Sequence, residues 1–189
     1  AAPQAAYWLG CCELASDPQQ ALRHLEQAHR GYQDQPEADP DGRGAFCCAA
    51  AAADAIVSIG ADLHALDAWM PVLHAHAAAY LARRDALTDL RVLPGLLAAF
   101  VHRDTAHALT APLADAAERL LDQPVGAGQR ILLGTLAYYL LWTGQTQRLD
   151  RIIIKLDRLC AGSDAAPGTR LRWYSVSVLI RALLGRVAE

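Results

Sequence analysis

Several features that mark large classes of protein are scarce or missing in this sequence. β-branched residues are few, and no stretch alternates apolar and polar residues for long, so we do not expect a β-sheet. Lys155 is the one lysine among 17 basic residues, and the others are scattered arginines. Because binding to nucleic acid needs a concentrated basic surface that neutralises phosphates, we expect no direct contact with nucleic acid.

Membrane and secretion signals are missing as well. The longest uncharged run, residues 131–147, is short for a bilayer span and is flanked by Arg130 and Arg148. No basic segment followed by an apolar one opens the chain, so we expect no signal peptide. Five cysteines without a secretory signal predict reduced thiols. The abundance of Ala, Leu, Arg and Asp is typical of GC-rich bacteria, and we expect a bacterial cytoplasmic protein without membrane contact.

The sequence does contain helical periodicity along most of its length. Of its 189 residues, 53% are hydrophobic and 20% are charged, which is typical of a globular chain. Residues 19–32 place Leu22, Leu25 and Ala28 on one face, and residues 148–159 repeat the arrangement. The pattern predicts an all-α fold.

A unit of about 42 residues recurs along the chain. Four stretches each begin with a turn, carry a small or aliphatic residue five positions later, and separate an apolar helix from an amphipathic one. The turns lie near residues 16, 60, 103 and 144, and the residues five positions later are Ala21, Ala65, Ala108 and Leu149. The aspartates expected to cap the following helices are Asp17, Asp62 and Asp104.

This recurrence predicts four αα-hairpins that stack into a right-handed superhelix. The same spacing leads to a fifth turn at Gly185, so a last helix, about 169–185, lacks its hairpin partner. We therefore expect residues 1–189 to form a single helical-repeat domain cut from a longer chain. Pro71 and Pro94 lie inside helical patterns and are expected to kink or break their helices.

The unit that ends near residue 157 resembles the tetratricopeptide repeat. Its matching positions are Leu136, Ala137, Gly144, Leu149, Ile153 and Leu156. The period of 41–44 residues is longer than the usual 34, and long repeats of this kind are similar to the α-superhelical regions of large bacterial regulators, such as transcription activators of the maltose-activator kind. The resemblance implies a segment that receives an inducer or a partner protein, next to an NTPase module and a DNA-binding module whose motifs this sequence does not contain.

The cysteine doublets Cys11-Cys12 and Cys47-Cys48 raise the question of a metal or redox site. In the repeat register the doublets are eight residues apart along parallel helices, an axial offset of ~12 Å. Sulfur ligands of one zinc ion lie about 4 Å apart, so we interpret the thiols as small side chains at tight helix contacts. Cys160 is interpreted in the same way.

The histidines also show no metal-binding spacing. His74 and His76 point ~200° apart on a helix, and His24 and His29 are five residues apart rather than four. We therefore expect no metal site, no cofactor and no catalytic residues.

A candidate binding groove follows from the repeat register, because the first helices of stacked hairpins line the concave face. The residues assigned to this face are Asp54, Leu97, Tyr138, Trp142 and Trp173. Tyr138 and Trp142 are neighbours on a helix and are expected to form an aromatic contact patch. The alternative is that the aromatic residues pack between hairpins and that Asp54 bonds a neighbouring helix.

Three functions remain open at this point. The first is a non-catalytic segment that binds a protein or peptide partner, or senses a small-molecule inducer in a closed pocket lined by Tyr138 and Trp142. The second is a helical metal-dependent enzyme, which requires His and Asp or Glu side chains to converge within about 3 Å of one point. The third is a homodimerisation platform formed by the bare face of the last helix.

Overall fold

The computed structural model describes residues 2–60, 62–83, 86–120, 127–161 and 167–185, without the side chains of 86–88, 127–131, 159–160 and 167–173. Over this part of the chain the regular structure is helical and contains no strand, which confirms the all-α prediction. The chain divides into two compact units, Ala1–Leu132 and Leu133–Glu189. The single superhelical domain expected from the repeats stays a prediction.

The first unit contains helices α1 to α6, and the second contains α8 and α9. The bounds in the first unit are α1 Pro3–Glu13, α2 Pro18–Asp34, α3 Arg43–Ile59, α4 Met70–Ala82, α5 Ala86–Arg103 and α6 Thr110–Leu120. Short 3₁₀ helices span Pro36–Ala38 and Leu63–Ala68. Helix α7, Ala127–Trp142, runs across the division, and α8 Thr146–Ala161 and α9 Pro167–Leu183 follow it.

Glycines end several helices where the repeat spacing places turns. Gly60, Gly144 and Gly185 follow α3, α7 and α9 with φ angles of 69°, 69° and 71°. This left-handed conformation is strained for residues with a Cβ, so glycine is the favoured residue after a helix end. At the first turn, Asp17 caps α2 by accepting a 2.9 Å hydrogen bond from the Gln20 amide, as predicted.

The second and third hairpins depart from the predicted register. Residues 63–68 form a 3₁₀ helix, whose three-residue turns bury Leu66 and leave Ala65 exposed. Asp62 caps this 3₁₀ helix rather than an α-helix. Helix α6 begins at Thr110, so Ala108 is an exposed residue before the helix and Asp104 does not cap it. The cap predicted at Asp104 was therefore wrong, and neither Ala65 nor Ala108 lies inside an α-helix.

Helices of the first unit cross at positions that lack a side chain. A Cβ at Gly10 would stand 2.7 Å from Cγ of Leu25, and one at Gly95 would stand 1.7 Å from the carbonyl oxygen of Ala50. The second contact joins α5 directly to the alanine run Ala49–Ala53 of α3. Helix α5 continues through Pro94 to its end at Arg103.

Pro71, unlike Pro94, lies in the first turn of its helix, α4, where its missing N–H is tolerated.

An ion pair joins the 3₁₀ helix Leu63–Ala68 to α5. At the end of α5, the guanidinium of Arg103 donates two hydrogen bonds, of 2.6 and 2.7 Å, to the carboxylate of Asp67. This bidentate pair fixes the 3₁₀ helix against α5 and holds the pKa of Asp67 below its ordinary value.

In the second unit, α8 buries the amphipathic face predicted from the sequence. Its buried residues include Leu149, Ile152, Ile153 and Leu156. Arg181 of α9 donates a 2.7 Å hydrogen bond to the carboxylate of Asp157 on α8. Across the described ranges, the chain has no helix with the length and apolar character needed to cross a bilayer.

Candidate functional site

The residues predicted to line one groove are divided between the two units. Asp54 and Leu97 lie in the first unit, and both are buried; Leu97 has no exposed surface, so it cannot touch a partner in this conformation. In the second unit Tyr138 is half-buried, whereas Trp142 is 70% exposed on the last turn of α7. The side chain of Trp173 lies outside the described residues. Among the predicted groove residues with described side chains, Trp142 is thus the most exposed.

A second exposed aromatic group, not predicted from the sequence, lies in the first unit. Trp8 of α1 is 41% exposed, and the guanidinium carbon of Arg91 from α5 lies 4.5 Å from the centre of its ring. The buried Tyr7 meets Trp8 edge-on, with ring centres 5.3 Å apart. The cation–π contact therefore joins two of the predicted first helices at the surface.

Two half-buried thiols complete this group. Cys11 and Cys47 both interact electrostatically with Arg91, which opposes the rise in pKa that burial gives each thiol. We call the set Trp8, Cys11, Cys47 and Arg91 the Trp8 surface.

Three of the cysteines interact electrostatically with one buried phenol. Cys11, Cys47 and Cys48 each interact with the phenol of Tyr7, whose pKa is raised chiefly by burial. Burial raises the pKa of Cys47 to about 11 and that of Cys48 further still, so both thiols stay protonated at neutral pH. Because nucleophiles and metal ligands need the thiolate, this environment favours the interpretation of these residues as packing groups. Cys160 lies outside the described side chains.

A small cavity lies between the start of α3 and the end of α4. Its volume is about 190 Å³, which is below the roughly 300–1,000 Å³ of pockets for drug-sized ligands. The lining side chains include Arg43, Phe46, His76, Tyr80 and Arg83. The cavity is therefore too small for a drug-sized organic inducer.

Two histidines and an aspartate converge elsewhere in the first unit. Nε2 of His74 on α4 lies 3.2 Å from Oδ2 of Asp104, and the rings of His74 and His107 stack with centres 4.9 Å apart. One ligand atom from each of the three residues lies within 4.8 Å of the other two. The sequence analysis missed this cluster because it compared histidines along single helices. The pair Asp104 and His107, three residues apart, was the available local signal.

Comparisons with known proteins add no assignment. No protein-family model, curated protein or solved structure matches this chain. The resemblance to the tetratricopeptide repeat therefore depends on the sequence positions described above.

Proposed function

We propose that the chain is a non-catalytic helical-repeat segment that binds a protein or peptide partner as part of a bacterial signalling or transcription-regulatory protein. The proposed architecture is a right-handed superhelix of αα-hairpins. Packing within the first unit supports it, because α1 packs on α2, α2 on α3 and α5 on α6. The first helices α1 and α5 also both contact α3, as side-by-side stacking requires.

The observation that carries the binding proposal is the Trp8 surface. Tryptophan and arginine are the residues most enriched among those that dominate the energy of protein interfaces. Here Trp8 has a buried aromatic neighbour in Tyr7, and Arg91 already lies on its ring, so little side-chain entropy remains to be lost on binding.

The chemistry of this surface selects the partner. The guanidinium of Arg91 offers hydrogen-bond donors to a carboxylate, and the exposed part of the Trp8 ring accepts an apolar side chain. We therefore propose a peptide segment that carries an acidic residue next to an apolar one. The alternative of an inducer held by Tyr138 and Trp142 in a closed pocket has less support, because Trp142 is 70% exposed.

Selection of a random-peptide phage library on the immobilised full chain tests the proposal. Enriched peptides are synthesised, and their affinities are measured for the wild type and three variants by fluorescence anisotropy. We expect Trp8→Ala to weaken binding by at least about 30-fold, the size of a hot-spot effect of about 2 kcal/mol, and Arg91→Ala to weaken it by about tenfold.

Leu9→Ala is the matched control for this measurement. Leu9 is 49% exposed on the same helix as Trp8, and the helical turn directs it elsewhere. We expect less than about a twofold change for Leu9→Ala. Enriched peptides without acidic residues, or peptides whose affinity is the same for Trp8→Ala and Leu9→Ala, would refute the proposed surface.

A second candidate function, homodimerisation through the last helix, is favoured by one feature of α9. Over residues 174–183, whose side chains the structure describes, the exposed residues of α9 form an uncharged stripe along one side, so two copies could meet there without repulsion between like charges. The large apolar members are Tyr174, Val178, Leu179 and Leu183, which are 45–66% exposed. Ser177 and Ile180 face the other way and are buried.

Light scattering coupled to size-exclusion chromatography tests the homodimer. We expect the wild type to elute with the mass of a dimer and Val178→Glu to elute as a monomer. Gln147→Glu, which adds the same charge at an exposed polar position of α8, is expected to leave the dimer intact. A monomeric wild type, or equal behaviour of the two variants, would exclude this interface.

A further inference from the structure

The convergence of His74, Asp104 and His107 has a specific local cause. His74 is on α4, whereas Asp104 directly follows the end of α5 and His107 lies three residues later. Phe100, which is fully buried, meets both imidazole rings edge-on, with ring centres 5.0 Å away in each case. The single core side chain of Phe100 therefore contacts both imidazole rings.

Hydrogen bonds fix the connection that carries two of the three groups. The amide of Asp104 donates to the carbonyl oxygen of Phe100 at 2.8 Å, and the carbonyl oxygen of Asp104 accepts from the amide of His107 at 3.0 Å. The hydroxyl of Thr110 donates to the same Asp104 carbonyl at 3.2 Å. These bonds hold the Asp104 and His107 backbones in place before any ligand arrives.

The separation of the ligand atoms is close to that of a coordination site. Three atoms at most 4.8 Å apart lie within about 2.8 Å (4.8 Å divided by √3) of one common point. Zinc ligands from His and Asp lie about 2.0–2.2 Å from the ion, so each atom needs to move inward by no more than about 0.8 Å. The exposed side chain of His74 can make most of this movement by turning out of its stack on His107.

Coordination also competes with an existing hydrogen bond. Nδ1 of His107 accepts from the amide of Leu109 at 3.1 Å. If Nδ1 coordinates, it loses this acceptor role, and if Nε2 coordinates, Nδ1 carries the proton and faces the amide as a second donor. Leu109 is partly exposed, so water can replace the lost partner, and the affinity for the ion is expected to be moderate.

We propose that His74, Asp104 and His107 bind one divalent transition-metal ion, with Zn²⁺ as the representative, and that water fills the remaining coordination positions. Two imidazole nitrogens favour Zn²⁺ and similar ions over Mg²⁺ and Ca²⁺, which prefer oxygen donors. The partial exposure of the three residues leaves an open side, unlike a closed structural zinc site. A bound ion would connect α4 to the segment between α5 and α6 and would stabilise the first unit by mass action.

Isothermal titration of the tag-free, chelator-treated full chain with ZnCl₂ tests the proposal. We expect one Zn²⁺ per chain and at least a tenfold weaker affinity in each of the variants His74→Gln and His107→Gln. The matched control is His64→Gln, because His64 is an exposed histidine 3.6 Å from the carboxylate of Asp67, and no third ligand lies near this pair among the residues that the structure describes. Its affinity is expected to stay within twofold of the wild type.

Two further measurements separate this site from adventitious binding. The variant Cys11→Ser/Cys47→Ser is expected to keep the zinc affinity, and the Co²⁺-loaded wild type is expected to lack a thiolate-to-metal charge-transfer band. Zinc is also expected to raise the melting temperature of the wild type and not that of the double variant His74→Gln/His107→Gln. No zinc binding by the wild type, full binding by the double histidine variant, or loss of binding in the cysteine variant would each overturn the proposal.

Discussion

Replacing Gly95 with alanine tests the contact between the backbones of α3 and α5. The new Cβ would stand 1.7 Å from the carbonyl oxygen of Ala50 and 2.8 Å from the amide nitrogen of Asp54. Close carbon–oxygen contacts in proteins are about 3.3 Å long, so the helices would have to separate by about 1.6 Å at this crossing.

Two effects of opposite sign determine the expected change in the free energy of unfolding. Alanine is the better helix former by about 1 kcal/mol. Overpacking costs about 1–3 kcal/mol, and we take the upper end because a helical carbonyl cannot turn aside as a side chain can. The expected net loss is about 2 kcal/mol, which lowers the melting temperature of a chain of this length by about 4–8 °C.

Thermal unfolding followed by far-UV circular dichroism measures this loss. Gly134→Ala is the matched control, because Gly134 lies inside α7 and an added Cβ meets no atom within 4 Å. That variant gains only helix propensity and is expected to be up to about 1 kcal/mol more stable than the wild type. If Gly95→Ala is as stable as the wild type, the helices do not cross as closely as the structure indicates.

Two other predictions concern buried polar groups. Tyr80→Phe is expected to lower the free energy of unfolding, measured in urea, by about 1–3 kcal/mol, because the Tyr80 hydroxyl donates a 2.5 Å hydrogen bond to the buried carboxylate of Asp89. The control is Tyr174→Phe, because Tyr174 is exposed. Equal stability of the two variants would contradict the prediction. In an alkylation experiment followed by mass spectrometry, the exposed Cys12 is expected to react before Cys11, Cys47 and Cys48. The rate at Cys47 is expected to rise about tenfold per pH unit from pH 7 to 9, since the pKa of this thiol is about 11. A rate that levels off in this range would show a lower pKa.

Local signals in the sequence were sufficient to predict the ends of several helices. Asp17 before Pro18 is a capping signal that acts within one turn of the helix. Gly144 is suited to the left-handed conformation that ends α7, and this depends on the residue itself. The packing positions Leu25 and Ala28 were also identified, because a helix with 3.6 residues per turn brings them to one face.

Features that depend on contacts between distant segments were not predicted. The 3₁₀ helix Leu63–Ala68 replaces the expected start of an α-helix, and it is held by the ion pair between Asp67 and Arg103 from another element. His74 and His107 meet through the position of α4 relative to the end of α5, which no spacing within one helix encodes. The proposed metal site therefore depends on the packing of helices and not on any single segment of the sequence.

At Gly95 the two helices touch through main-chain atoms, and this type of contact has no rotamers with which to absorb displacement. A displacement of α5 is passed directly to α3, since bending either helix would break backbone hydrogen bonds within that helix. We therefore expect α3 and α5 to move as one rigid pair. Under mechanical load we expect α3 and α5 to part in one abrupt event, while neighbours joined by longer side chains yield gradually.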